Sequence, residues 1–131
     1  MTLSIGGNDA KFIDVLMQCI LSVQVCQDST LDGDTAPLSQ AEPDRINNQV
    51  EPRVESVLAQ IHLLAPHAKI LLMGYPDFFD NGGQCLAGIG TAEAPWLNQM
   101  ADLMDNAMNT AATHQQNAGV DVTFSDPRHD F

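Results

Sequence analysis

The chain has 131 residues, 44% of them apolar, which is enough for one domain with a buried core and too apolar for a disordered tract. Its formal charge is −12, and its five cations (Lys11, Arg45, Arg53, Lys69 and Arg128) are scattered along the chain. No basic patch can be built from them, which disfavours nucleic-acid binding and docking on an anionic membrane, and no apolar run is long enough to span a bilayer.

The first element is a short apolar strand, Thr2-Leu3-Ser4-Ile5, that runs into Gly6-Gly7-Asn8-Asp9. This reads as a strand followed by a tight turn that holds an amide side chain at the strand's carboxyl end. Gly6 and Gly7 permit positive φ and close approach of the backbone to a ligand, and Asp9 is placed to cap a helix beginning near Ala10. In parallel α/β sheets ligands bind at the carboxyl edge, where an Asn can donate N–H to a developing oxyanion. Gly, Asn and Asp also dominate ordinary turns, so the tetrapeptide alone is equally a plain strand-to-helix connection. Met1 leads straight into the strand with no basic and apolar leader before it, so a chain starting partway through a larger one is expected.

Phe12, Val15, Leu16, Cys19 and Ile20 recur at helical spacing. Residues 27–43 break that period with Asp, Ser, Thr, Gly and Pro, and read as an acidic surface loop. Asp28, Asp32 and Asp34 do not fall on the spacing of a calcium-binding loop, and no metal site is expected. Residues 44–65 return to a helical stripe (Ile46, Val50, Val54, Val57, Leu58, Ile61, Leu64), with a kink or start at Pro52. His62 and His67 near its end suit capping or surface roles.

Residues 68–73 form a near-continuous apolar run ending at Gly74-Tyr75-Pro76, the pattern of a strand covered on both faces in a parallel sheet. A Gly-containing loop over 77–90 carries Cys85. A helix with Pro95 at its start follows, its stripe made of Leu97, Met100, Ala101, Met104, Ala107, Met108 and Ala111; Gly119 closes it before a third strand at 120–124. Strands alternating with amphipathic helices imply a parallel sheet with right-handed crossovers. Three strands are few for such a fold, a further sign of an incomplete domain. Cys19 and Cys26 are seven apart, so they can bond only if the helix ends near Leu21 or Ser22 and the chain turns back; two buried thiols are the alternative.

Taken together, these segments resemble the SGNH hydrolases (GDSL-type esterases and lipases), and in particular their secreted bacterial branch. The resemblance runs over essentially the whole chain. It rests on Gly6-Gly7-Asn8-Asp9 as the Gly-x-Asn-Asp block, on Ile70 to Phe79 with Gly74-Tyr75-Pro76, on Trp96-Leu97-Asn98, and on Phe124-Ser125-Asp126-Pro127-Arg128. It implies a serine esterase on a three-layer α/β/α sandwich with a flavodoxin-like parallel sheet, of which residues 1–131 are a partial domain. It also implies a Cys19–Cys26 disulfide, Asn8 as oxyanion-hole donor, Gly7 and Asn8 at the substrate, a small-molecule or lipid ester as substrate, no cofactor, and secretion of the parent. The family's Gly-Asp-Ser nucleophile block has no counterpart here, and Ser4 does not replace it. The Asp126-x-x-His129 spacing imitates the family's Asp-x-x-His block, but its place directly after the third strand fits an earlier segment, so His129 reads as a surface residue. The segment alone is expected to be inactive. The competing reading is a non-catalytic α/β binding module whose open sheet edge invites pairing with another chain.

Overall fold

A computed structural model describes residues 1–22, 24–79 and 88–128. The elements are β1 (Thr2–Leu3), α1 (Phe12–Leu21), α2 (Leu38–Arg45), α3 (Glu51–Leu64), β2 (Ile70–Met73), α4 (Glu93–Asn117) and β3 (Val122–Ser125). The three strands form one parallel sheet in the order β1-β2-β3, with Leu3 opposite Leu72 and Leu72 opposite Phe124. The chain is thus a small α/β fold with a parallel sheet, as its alternating pattern implies.

Each strand is added on the same side of the one before it. Right-handed crossovers that step in one direction place both connections on one face of the sheet. The main core follows from this: Val50, Val54 and Leu58 around α3, and Met104, Ala107, Met108 and Ala111 of α4, close over Ile70, Leu72 and Val122. Of a three-layer sandwich, the described residues make the sheet and one helical layer. Sequence patterning over 70–73 predicts cover on both faces, whereas Leu71 and Met73 are 38% and 41% exposed and only Ile70 and Leu72 are buried. A second, smaller core joins Val15, Cys19, Cys26, Leu31 and Leu38 to Trp96 and Leu97 at the start of α4.

The predicted loop over 27–43 is corrected in two places. A 3-10 turn spans Cys26–Asp28, and α2 begins at Leu38 and runs through Pro43. Leu31 and Leu38 are buried, which anchors the segment to the small core. Asp34, read as a loop acid, instead pairs with Lys11 and Arg45, and Arg45 also pairs with the buried Glu42. The regular helix begins beside Pro52, as one of the two expectations had it, with α3 starting at Glu51. A π turn over Ile46–Val50 joins α2 to α3, its last bond running from the Glu51 N–H to the Ile46 carbonyl. The wider turn comes just before Pro52, which lies at the second position of α3 within a continuous helical run, so the π turn is where the run accommodates the missing N–H.

Cys19 and Cys26 form a disulfide with their Cα atoms 4.7 Å apart. The geometry is the one that makes a bond feasible at this spacing: α1 stops at Leu21, Ser22 is extended, and the chain folds back into the 3-10 turn. Gly119 closes α4 with φ +95°, its N–H bonded to the Gln116 carbonyl.

Candidate functional site

Because the strands are parallel, the residues that follow each of them gather at one edge. Those residues are the turn after β1, Gly74 and Tyr75 after β2, and Asp126 and Arg128 after β3. Gly6 has φ +100°, and a Cβ there would lie 2.5 Å from Met104 Cε, so only glycine fits between the strand end and α4. The turn is then wound tightly by backbone bonds, from the N–H of Ala10 to the Gly6 carbonyl (2.9 Å), of Lys11 to Asn8 (3.0 Å) and of Phe12 to Gly7 (3.0 Å).

Asp9 does not cap the helix. Helix α1 begins at Phe12 after Lys11, which adopts the left-handed conformation at φ 51° and offers no side-chain cap. The Asp9 Oδ1 instead pairs with Arg53 Nη1 on α3. The Asn8 side chain is exposed and makes no hydrogen bond among the described residues, which leaves both amide protons available at the edge. The Gly7 N–H donates to Tyr75 Oη at 3.2 Å, and Tyr75 also lines the adjacent cleft.

A cleft of about 660 Å³ opens beside this turn. Ser4, Gly7, Asn8, Asp9 and Arg53 supply its polar rim, and Phe12, Ile13, Val54, Phe78, Leu97 and Met100 are among its apolar walls. The rings of Phe12 and Phe78 pack against one another with centroids 4.9 Å apart. Sites of this kind, mostly apolar with a few convergent polar groups, are the usual form of small-molecule sites.

Two buried acids support the region, and neither was singled out from sequence. Glu42 lines the cleft and is 3% exposed; burial pushes its carboxyl up to about 7 against the opposing pull of Arg45. Asp105 on α4 is wholly buried, and burial pushes it up to about 6, offset by the Tyr75 backbone N–H and by Arg128. Its Oδ1 accepts that N–H at 2.7 Å. Asn98 braces the next stretch, accepting from the Phe79 N–H at 3.2 Å and donating to its carbonyl at 2.7 Å. A signal for both acids was present: Asp105 sits four residues after Ala101 and three before Met108, and Glu42 sits midway between Leu38 and Ile46, each on an apolar stripe. A charge on such a face is buried unless the helix turns away.

Asp126 hydrogen-bonds Arg128, which also reaches Asp102. His129 and Cys85 lie outside the described residues. On the helical face, Glu51, Glu55 and His114 bring their ligand atoms within 4.8 Å of one another, with His114 Nδ1 and Glu55 Oε1 in hydrogen-bond contact.

The site and fold define a class: a parallel α/β domain with an apolar cleft and an amide donor at the carboxyl edge of its sheet. No family model matches the chain. A curated lipase from Streptomyces rimosus is 30% identical over 104 residues, which is 78% of this chain and 35% of that protein. Lipase 1 from Streptomyces coelicolor is 28% identical over 132 residues, covering 100% of this chain and 44% of that one. Among solved structures, a phospholipase A1 from Streptomyces albidoflavus superposes with a TM-score of 0.70 at 28% identity, over 92% of this chain and 47% of that one. An extracellular lipase from Streptomyces rimosus shares the fold with a TM-score of 0.73 at 24% identity, over 97% of this chain and 49% of that one. The chain therefore spans between a third and a half of the length of these relatives. The kinship supports the SGNH hydrolase family at partial coverage.

Proposed function

We propose that this chain is the segment of a secreted lipid-ester hydrolase that supplies the oxyanion donor and one wall of the acyl cleft. One observation carries the reading: the Asn8 amide stands exposed, with no hydrogen bond among the described residues, at the carboxyl edge of the sheet and on the lip of an apolar cleft. A tetrahedral intermediate formed on a carbonyl at that lip would place its oxyanion where the Asn8 N–H can donate, and such donors strengthen as charge develops. Gly7 shapes the approach, and Phe12 and Phe78 offer a surface for an acyl chain. The serine nucleophile and histidine base belong, on this reading, to parts of the enzyme outside the 131 residues, so the segment does not act alone. Kinship with lipases and a phospholipase A1, one of them extracellular, supports both the lipid-ester substrate and the secreted parent.

The test is Asn8→Ala in the full-length enzyme carrying this segment. Loss of one oxyanion donor is expected to lower kcat by about 10²–10³, with thermal stability nearly unchanged because the side chain braces nothing. Turnover equal to that of the parent would refute the assignment.

A further inference from the structure

The turn that presents Asn8 is tied to the rest of the molecule from beneath. The Gly7 N–H, one residue before Asn8, donates to Tyr75 Oη across the carboxyl edge, from the end of β1 to the end of β2. Tyr75 is itself fixed by its backbone N–H, which donates to Asp105 Oδ1 on α4. Asp105 has no exposed surface, its Oδ2 has no hydrogen-bond partner among the described residues, and Arg128 Nε stands 3.7 Å from it. Gly74 lets strand and carboxylate approach this closely, since a Cβ there would lie 2.6 Å from both oxygens. A buried acid is costly to hold, and the Tyr75 N–H and the Arg128 guanidinium offset that cost here.

We infer that Tyr75 and Asp105 are positioning residues for Asn8, a two-step brace that runs from the buried face of α4 to the turn and sets the height of the amide above the cleft. The inference rests on the oxyanion reading of Asn8. The Tyr75 hydroxyl accepts the Gly7 N–H and so links the turn after β1 to the residues after β2. Without it the turn keeps its internal backbone bonds but loses this tie between Gly7 and the end of β2, so its position relative to the cleft is held less firmly. A donor displaced by a fraction of an ångström loses much of its effect on a transition state while substrate binding in the apolar cleft is retained.

A double-mutant cycle on ester hydrolysis by the full-length enzyme tests this, with the variants Asn8→Ala, Tyr75→Phe and both together. Tyr75→Phe keeps the ring and removes only the acceptor. It is expected to lower kcat by about 5–20-fold with KM within about twofold. In the Asn8→Ala background the same change should alter kcat by less than about twofold, because the group it positions is gone. If Asn8→Ala alone leaves turnover intact, the oxyanion reading fails and the brace fails with it. If Asn8→Ala is damaging while Tyr75→Phe is harmless, or costs the same in both backgrounds, the positioning role alone is overturned. Asp105→Asn, which keeps an oxygen for the Tyr75 N–H, should retain most of the kcat that Asp105→Ala loses; equal losses would remove Asp105 from the brace.

Discussion

At Gly74 the backbone passes so close to a carboxylate that the residue has no room for a side chain. The oxygens it would meet belong to Asp105, which is buried and cannot swing away. Gly74→Ala is therefore expected to destabilise the protein by about 1–3 kcal/mol, seen as a lower denaturant midpoint with an unchanged slope. An equal midpoint would mean that Asp105 or the strand end yields more easily than its burial implies. Single residues also mark the reach and the limit of sequence reading at the site. The strand-to-turn step at Gly6-Gly7-Asn8-Asp9 was legible from composition, while the role proposed for Asn8 came from resemblance, since the same residues also make ordinary turns. The Gly7–Tyr75 contact was not legible, because a hydrogen bond between residues 68 apart in sequence leaves no local pattern, and the place of Asp105 on an apolar stripe signals burial but not its partner. Asp9 was misread: the capping rule assumes that the helix begins at the next residue, and the left-handed Lys11 delays it.

Among the elements, α1 depends most on a covalent tie. It packs into the small core rather than against the sheet, and its other face leaves Ile13, Met17 and Leu21 exposed. The Cys19–Cys26 bond closes a short loop between its last turn and the 3-10 turn that follows. Replacing both cysteines by Ser is expected to cost about 2–4 kcal/mol in equilibrium unfolding, from the unfolded chain's regained freedom and from two buried hydroxyls. The long helix α4 and strands β2 and β3 were readable within a few residues, since their apolar periods are long and uninterrupted. The stretch from 27 to 52 was read less well. Its Asp, Ser, Gly and Pro residues signal turns, but Leu31, Leu38 and the Asp34–Arg45–Glu42 cluster make long-range contacts that override those local preferences.

For the whole molecule, the charge balance sets an unusual response to pH. Each of the five cations lies in an ion pair with an acid. Glu42 and Asp105 have folded values near 7 and 6, above their ordinary values of 4.5 and 3.8. Over those two windows the folded chain holds protons that the unfolded chain has released. The stability they contribute is fully present below the ordinary values and is lost as pH rises through the folded ones. Asp34 has the opposite sign: burial raises its value, but Arg45 and Lys11 together lower it, so its contribution is lost only under more acidic conditions. The melting temperature is thus expected to rise by several degrees between pH 8 and pH 5.5, and Glu42→Gln should flatten part of that rise. A melting temperature that falls on mild acidification would show that neither acid is protonated in the folded state.

The division into two cores has an optical consequence. The lone tryptophan, Trp96, stands among the disulfide-side residues, while no indole touches the layer between α3, α4 and the strands. Fluorescence excited at the indole alone, leaving out Tyr75 on the sheet side, therefore watches the region of α1 and the crosslink. Circular dichroism, dominated by the long helices, watches the other. Recorded side by side, the two signals reveal whether the molecule melts as one body or as two.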